Sequence, residues 1–158
     1  FKYLCTVHNI NDMKKIISTL IFSAIGIVAM GQNSSAPKDS TTFRGYLYNR
    51  QYGIYIDFDF YHNNVQIPNQ EIYGELPGYL GDYQDARKWL FVSAQIKGNK
   101  KADLNIINDY GSEDLKATLT VKNDSTYILR QNEGSTLKIA RNRKWVKLPT
   151  QLEFIKKK

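Results

Sequence analysis

The sequence predicts an all-β fold: an antiparallel up-and-down meander that closes into a small barrel of eight to ten strands, with a β-sandwich as the alternative. Three observations point there. Apolar and polar residues alternate with period two, the alternating runs are short, and clusters of Asn, Gly, Asp and Ser separate them. Past residue 31 no segment carries the period of a long amphipathic helix.

The elements follow in chain order. Residues 1–12 show no clear period and are read as upstream translation, with Met13 as the start. Lys14 and Lys15 then precede an apolar run over 16–30, and small residues Ala29 and Gly31 stand before Gln32. A basic start, an apolar stretch and a small-residue cut site form a secretory signal peptide over 13–31. The run falls short of the about 20 apolar residues a membrane-spanning helix needs, so the mature chain is expected not to span a membrane. No Cys follows it, which excludes a lipid-modified Cys at the new N-terminus. The expected location is periplasmic or secreted.

Cleavage removes Cys5, the chain's one thiol, together with Lys2, Lys14, Lys15 and Asp12. What remains has 19 basic and 14 acidic residues, and one His, His62. A thiol-free domain suits an oxidising compartment. No metal site, cofactor or catalytic residue is expected from so sparse a set of ligands and nucleophiles.

Residues 32–42 read as a polar, flexible leader, and 43–158 as the barrel domain. Within it, 53–61 places Ile54, Ile56, Phe58 and Phe60 on one face, with Tyr55, Asp57, Asp59 and Tyr61 on the other. Residues 115–122 alternate in the same way, as half-buried antiparallel strands do. Further strands are predicted at 43–48, 71–76, 88–96, 102–107, 126–131, 136–140 and 151–156. Exposed edges are hazardous, so the first strand is expected to pair with the last. The stretch 77–87 (PGYLGDYQDAR) reads as the longest irregular connection, able to cap one mouth.

The initial strand with Phe43-x-Gly45, the meander, the leader peptide and the closing Lys144-Trp145 resemble small secreted calycin-type barrels, the lipocalin- and avidin-like proteins. That resemblance covers 43–156 and implies a binding barrel. Leu47 stands where the lipocalin motif carries Trp.

Charge and aromatic placement give the functional expectation. Residues 51–86 hold six acidic groups and no Lys or Arg, whereas 138–158 hold eight basic groups and one acidic. Two opposed fields neutralise each other or select partners. The polar faces of the first strands carry Tyr46, Tyr48, Tyr55 and Tyr73 among Asp57, Asp59 and Glu75, and the 77–87 stretch adds Tyr79, Asp82 and Tyr83. Tyr pairs a flat apolar ring with a polar tip, a combination that suits a sugar or a basic protein surface. The expected function is therefore a non-catalytic binding protein that recognises a protein or glycan through this face. Alternatives are a small-ligand carrier using the barrel interior, an inhibitor or immunity protein against a basic enzyme, and a hydrolase built on Asp57, Asp59 and His62. The basic run 141–147 could hold a phosphate backbone, but export and the acidic half argue against nucleic acid as a partner. An anionic envelope polymer or lipid headgroup is the better match for that run.

Overall fold

The computed structural model describes residues 41–158. The expected upstream segment, signal peptide and leader up to residue 40 lie outside them.

Twelve strands form: β1 (Arg44–Asn49), β2 (Ile54–Asp59), β3 (Val65–Gln66), β4 (Glu75–Leu76), β5 (Gly78–Asp82), β6 (Trp89–Lys97), β7 (Lys101–Asn108), β8 (Asp114–Val121), β9 (Thr126–Gly134), β10 (Lys138–Arg141), β11 (Lys144–Lys147) and β12 (Gln151–Lys156). Eight of them close into an antiparallel barrel in the order β1-β12-β9-β8-β7-β6-β5-β2. Each barrel strand neighbours the next along the chain, and β1 meets β12 at Leu47↔Lys156 and Tyr48↔Ile155. The predicted closure of first strand on last is present.

The interior is filled by the apolar face of each strand. Leu47, Ile54, Ile56, Phe58, Leu80, Phe91, Leu104, Ile106, Leu119, Leu129, Leu152 and Phe154 are all buried within one cluster. A barrel of about eight strands is only wide enough for such side chains or one small ligand. At one end Phe43 and Phe60 stack at 6.1 Å, and the Tyr127 hydroxyl donates to the Thr42 carbonyl at 2.6 Å. At the other end the β10–β11 hairpin lies over the mouth, contributing Ile139 to the core, with Leu137 and Leu148 from its roots.

Two short strands, β3 and β4, pair with each other outside the barrel and flank the 3-10 turn Glu71–Tyr73. They pack Ile67 on Tyr79 and Leu90, forming a second small core on the outer wall.

Four expectations about individual elements need correction. The 77–87 stretch is not all loop, because Gly78–Asp82 is a full barrel strand between β2 and β6. Its glycines permit close approach instead of breaking the strand: a Cβ on Gly78 would fall 2.5 Å from the Asp57 carbonyl oxygen. The predicted strand at 71–76 is a 3-10 turn followed by the two-residue β4. The strand expected at 136–140 appears as β10, which leaves the barrel to form the hairpin. At that mouth the hairpin and residues 82–87 stand together around one cavity.

Candidate functional site

Two regions concentrate chemistry, an outer wall of tyrosines and a cavity at the hairpin end. The wall begins with the outward-facing positions of β1, β2 and β5. Tyr46 stacks on Tyr55 at 5.1 Å, Tyr55 meets Tyr83 at 4.9 Å, and the Tyr46 and Tyr83 hydroxyls share a hydrogen bond of 2.8 Å. Tyr79 stands edge-on to Tyr55 at 5.8 Å. Gly81 makes the stack possible, since it pairs with Tyr55 across β2–β5 and a Cβ there would lie 2.4 Å from the ring. Tyr83 keeps 61 % of its surface in solvent while Tyr79 is buried beneath the β3–β4 flap. Burial, and then the hydrogen bond with Tyr83, pushes the Tyr46 hydroxyl above the ordinary tyrosine range. Burial and the bond with Tyr55 do the same to Tyr79. The Tyr46 and Tyr79 hydroxyls therefore hold their protons, and Asp57 is the carboxyl group the wall carries.

The structure distributes the remaining sequence candidates. Asp57 belongs to the wall beside Tyr79, and burial raises its carboxyl above the usual value against a pull from the Phe58 amide. Tyr48 lies opposite Tyr55 in the ladder with the Arg50 guanidinium 5.5 Å from its ring centre. Glu75 is exposed on the flap, and the Tyr73 hydroxyl donates to the Asp109 carbonyl at 2.9 Å, away from the stack. Asp59 is buried and engaged locally. Its Oδ1 accepts the Tyr61 and His62 amides, and its Oδ2 faces His62 Nδ1 at 2.9 Å and Arg44 Nε at 3.2 Å. Burial works to raise its carboxyl, but the hydrogen bonds from His62 and Tyr61 prevail and hold it below the usual range. Asp59 and His62 thus anchor the turn after β2. Asp82 points to the barrel mouth instead of the wall, where its carboxylate pairs with Arg141 at 2.5 Å.

That pair marks the second region. A cavity of about 400 Å³ opens between the 82–89 segment, the β7–β8 turn and the β10–β11 hairpin. Trp145, on the hairpin, is 53 % exposed, with Arg87 at 4.3 Å and Lys138 at 4.9 Å from its ring centre. Arg87 forks onto Asp85 through Nε at 2.7 Å and Nη2 at 2.6 Å, which drops the Asp85 carboxyl to about 2. Lys138 pairs with Glu113 at 2.7 Å. Trp89 closes the floor, its indole N–H donating to the Lys138 carbonyl at 3.1 Å. Among the described residues no group of three or more His, Cys, Asp or Glu side chains is placed to hold a metal ion. No helix there is long and apolar enough to cross a membrane.

Sequence reasoning named Asp82 here but missed Arg87, Lys88, Asp109, Glu113, Lys138 and Trp145 as a group. They come from segments more than 20 residues apart. The one signal available was the Lys144-Trp145 pair in a basic run, which records residue types and not the strand ends it will face.

Fold and geometry together define an eight-stranded closed antiparallel β-barrel with an aromatic wall outside and a charged, aromatic-lined cavity at one mouth. No protein-family model, curated protein or solved structure matches the chain.

Proposed function

We propose that this chain is an exported, non-catalytic binding protein, and that its tyrosine wall docks a basic patch on a protein partner. The observation that carries the proposal is the mutual locking of Tyr46, Tyr55 and Tyr83 over Gly81. Side chains fixed before binding lose little entropy on contact, and Tyr is enriched where interfaces concentrate their energy. Charge supports a basic partner, since Asp57 on the wall and Glu71 and Glu75 beside the flap make no ion pair among the described residues. A basic enzyme neutralised by this wall is one form of that partner.

Recognition from outside is favoured over carriage inside, because Ile54, Ile56, Phe58, Leu104, Leu119 and Phe154 occupy the interior. The closed up-and-down order is in keeping with a calycin-type barrel, and an envelope or extracellular location with the basic–apolar–small pattern over 13–31. The test is affinity capture from envelope and extracellular fractions with the tagged full chain and with Tyr55→Ser/Tyr83→Ser. We expect a basic protein retained by the wild type, released by salt and at least tenfold depleted with the double variant. Equal retention by both would sink the proposal.

A further inference from the structure

We infer that the mouth cavity is a second binding site, separate from the tyrosine wall, which takes a neutral sugar unit. Its size falls within the roughly 300–1,000 Å³ of small-molecule sites. Its charges nearly cancel. Asp82, Asp85 and Glu113 are already paired with Arg141, Arg87 and Lys138.

Two groups keep hydrogen-bonding capacity. Lys88 is only 7 % exposed, yet its ammonium donates to a single acceptor among the described residues, the Ala86 carbonyl at 2.8 Å. An ammonium has three N–H donors, and burying two of them without acceptors is costly. Among the described residues the Asp109 carboxylate accepts only the Lys88 backbone amide, through Oδ2 at 3.1 Å, and makes no ion pair. Both line the cavity. The lining therefore offers unsatisfied donors and a free carboxylate oxygen within a balanced field.

An anion would satisfy Lys88 and repel Asp109, whereas a cation would do the reverse. Adjacent hydroxyls of a sugar ring satisfy both, because each hydroxyl donates and accepts. Trp145, held by Arg87 and Lys138, and the exposed Tyr110 add aromatic surface for the apolar side of the ring.

The experiment is a titration of the full chain with glucose, galactose, mannose, N-acetylglucosamine and their β-linked disaccharides. Inorganic phosphate and glucuronate serve as ionic comparators. The chain has two Trp, and both Trp89 on the floor and Trp145 at the rim line this cavity, so fluorescence reports its occupation. We expect a saturable blue shift with at least one neutral sugar. Affinity should fall at least tenfold in Lys88→Met and in Trp145→Ala (by calorimetry), and stay unchanged in Tyr55→Ser. Near-ultraviolet circular dichroism confirms folding, and Asp109→Asn serves as the second polar variant if Lys88→Met does not fold. Three results would overturn the inference: no saturable binding of any neutral sugar, tighter binding of phosphate or glucuronate, or full affinity in the cavity variants. None of them bears on capture by the wall, which is read in separate variants.

Discussion

Glycines and carboxylates set the finest features of this molecule. Gly78 sits where any side chain would strike the Asp57 carbonyl and the Phe58 Cβ, both backbone-proximal atoms that cannot swing away. Gly78→Ala should destabilise the fold by about 1–3 kcal/mol, the usual cost of overpacking, measured by urea denaturation. Gly81→Ala meets the Tyr55 ring instead. It should tilt that ring and weaken partner capture more than it lowers stability. The carboxylates give opposite signs with pH. Asp85 has a folded value below its unfolded one, so its stabilisation is present above the unfolded value of about 4 and is lost as pH falls toward about 2, and Asp59 is shifted in the same direction. Asp57 is raised by burial, so its ionisation opposes folding and protonation relieves that. Denaturation midpoints should therefore fall steeply from pH 4 to pH 2, and less steeply in Asp85→Asn. Asp57→Asn should match or exceed the wild type at pH 7.

A buried amide ties the roots of the β10–β11 hairpin to the barrel. Gln131 Oε1 accepts the Leu137 N–H at 2.7 Å, and its Nε2 donates to the Pro149 carbonyl at 2.7 Å. Arg141 adds a further tie, bonding Asp82 and the Tyr52 carbonyl. Gln131→Leu strands both backbone groups in a dry site, where each lost partner costs about 1–3 kcal/mol. We expect faster amide exchange throughout 137–149, with β6–β8 unchanged.

Elements of this kind show how far a sequence speaks. The alternation in β2 and β8 made those strands and their inner faces legible, and the edge argument foretold the closing pair. The hairpin was not foreseen as a lid, because a short run of alternating residues reads alike inside or outside a barrel. In β6 the period itself changes. Trp89 and Phe91 face inward, then the register shifts between Phe91 and Ser93, and Ala94 and Ile96 take over. For β5, Tyr79 and Tyr83 are four apart, a spacing that suits one helical turn as well as one strand face, and glycines there looked like breakers. Of the tyrosine wall, Tyr46 and Tyr55 were legible as polar-face residues of consecutive strands, whereas Tyr79 and Tyr83 were read on a loop. The cavity was not legible, because loop ends distant in sequence build it.

Over the molecule as a whole, the opposed charges of residues 51–86 and 138–158 meet at the hairpin mouth, where Arg141 reaches Asp82. The wall keeps Asp57 and the flap keeps Glu75, and the closed sheet presents them while its interior is occupied by side chains. All of this requires the barrel to be shut at β1–β12. The seam includes a bond from the Lys157 amide to the Tyr46 carbonyl at 2.8 Å, one residue from the chain's last. Native-state amide exchange on the full chain reads that bond. Protection of Lys157 at least a hundredfold beyond its neighbour Lys158 is the expected result. Exchange of Lys157 at the rate of a frayed tail would mean an open sheet or a sandwich, and would contradict the barrel on which both proposed surfaces rest.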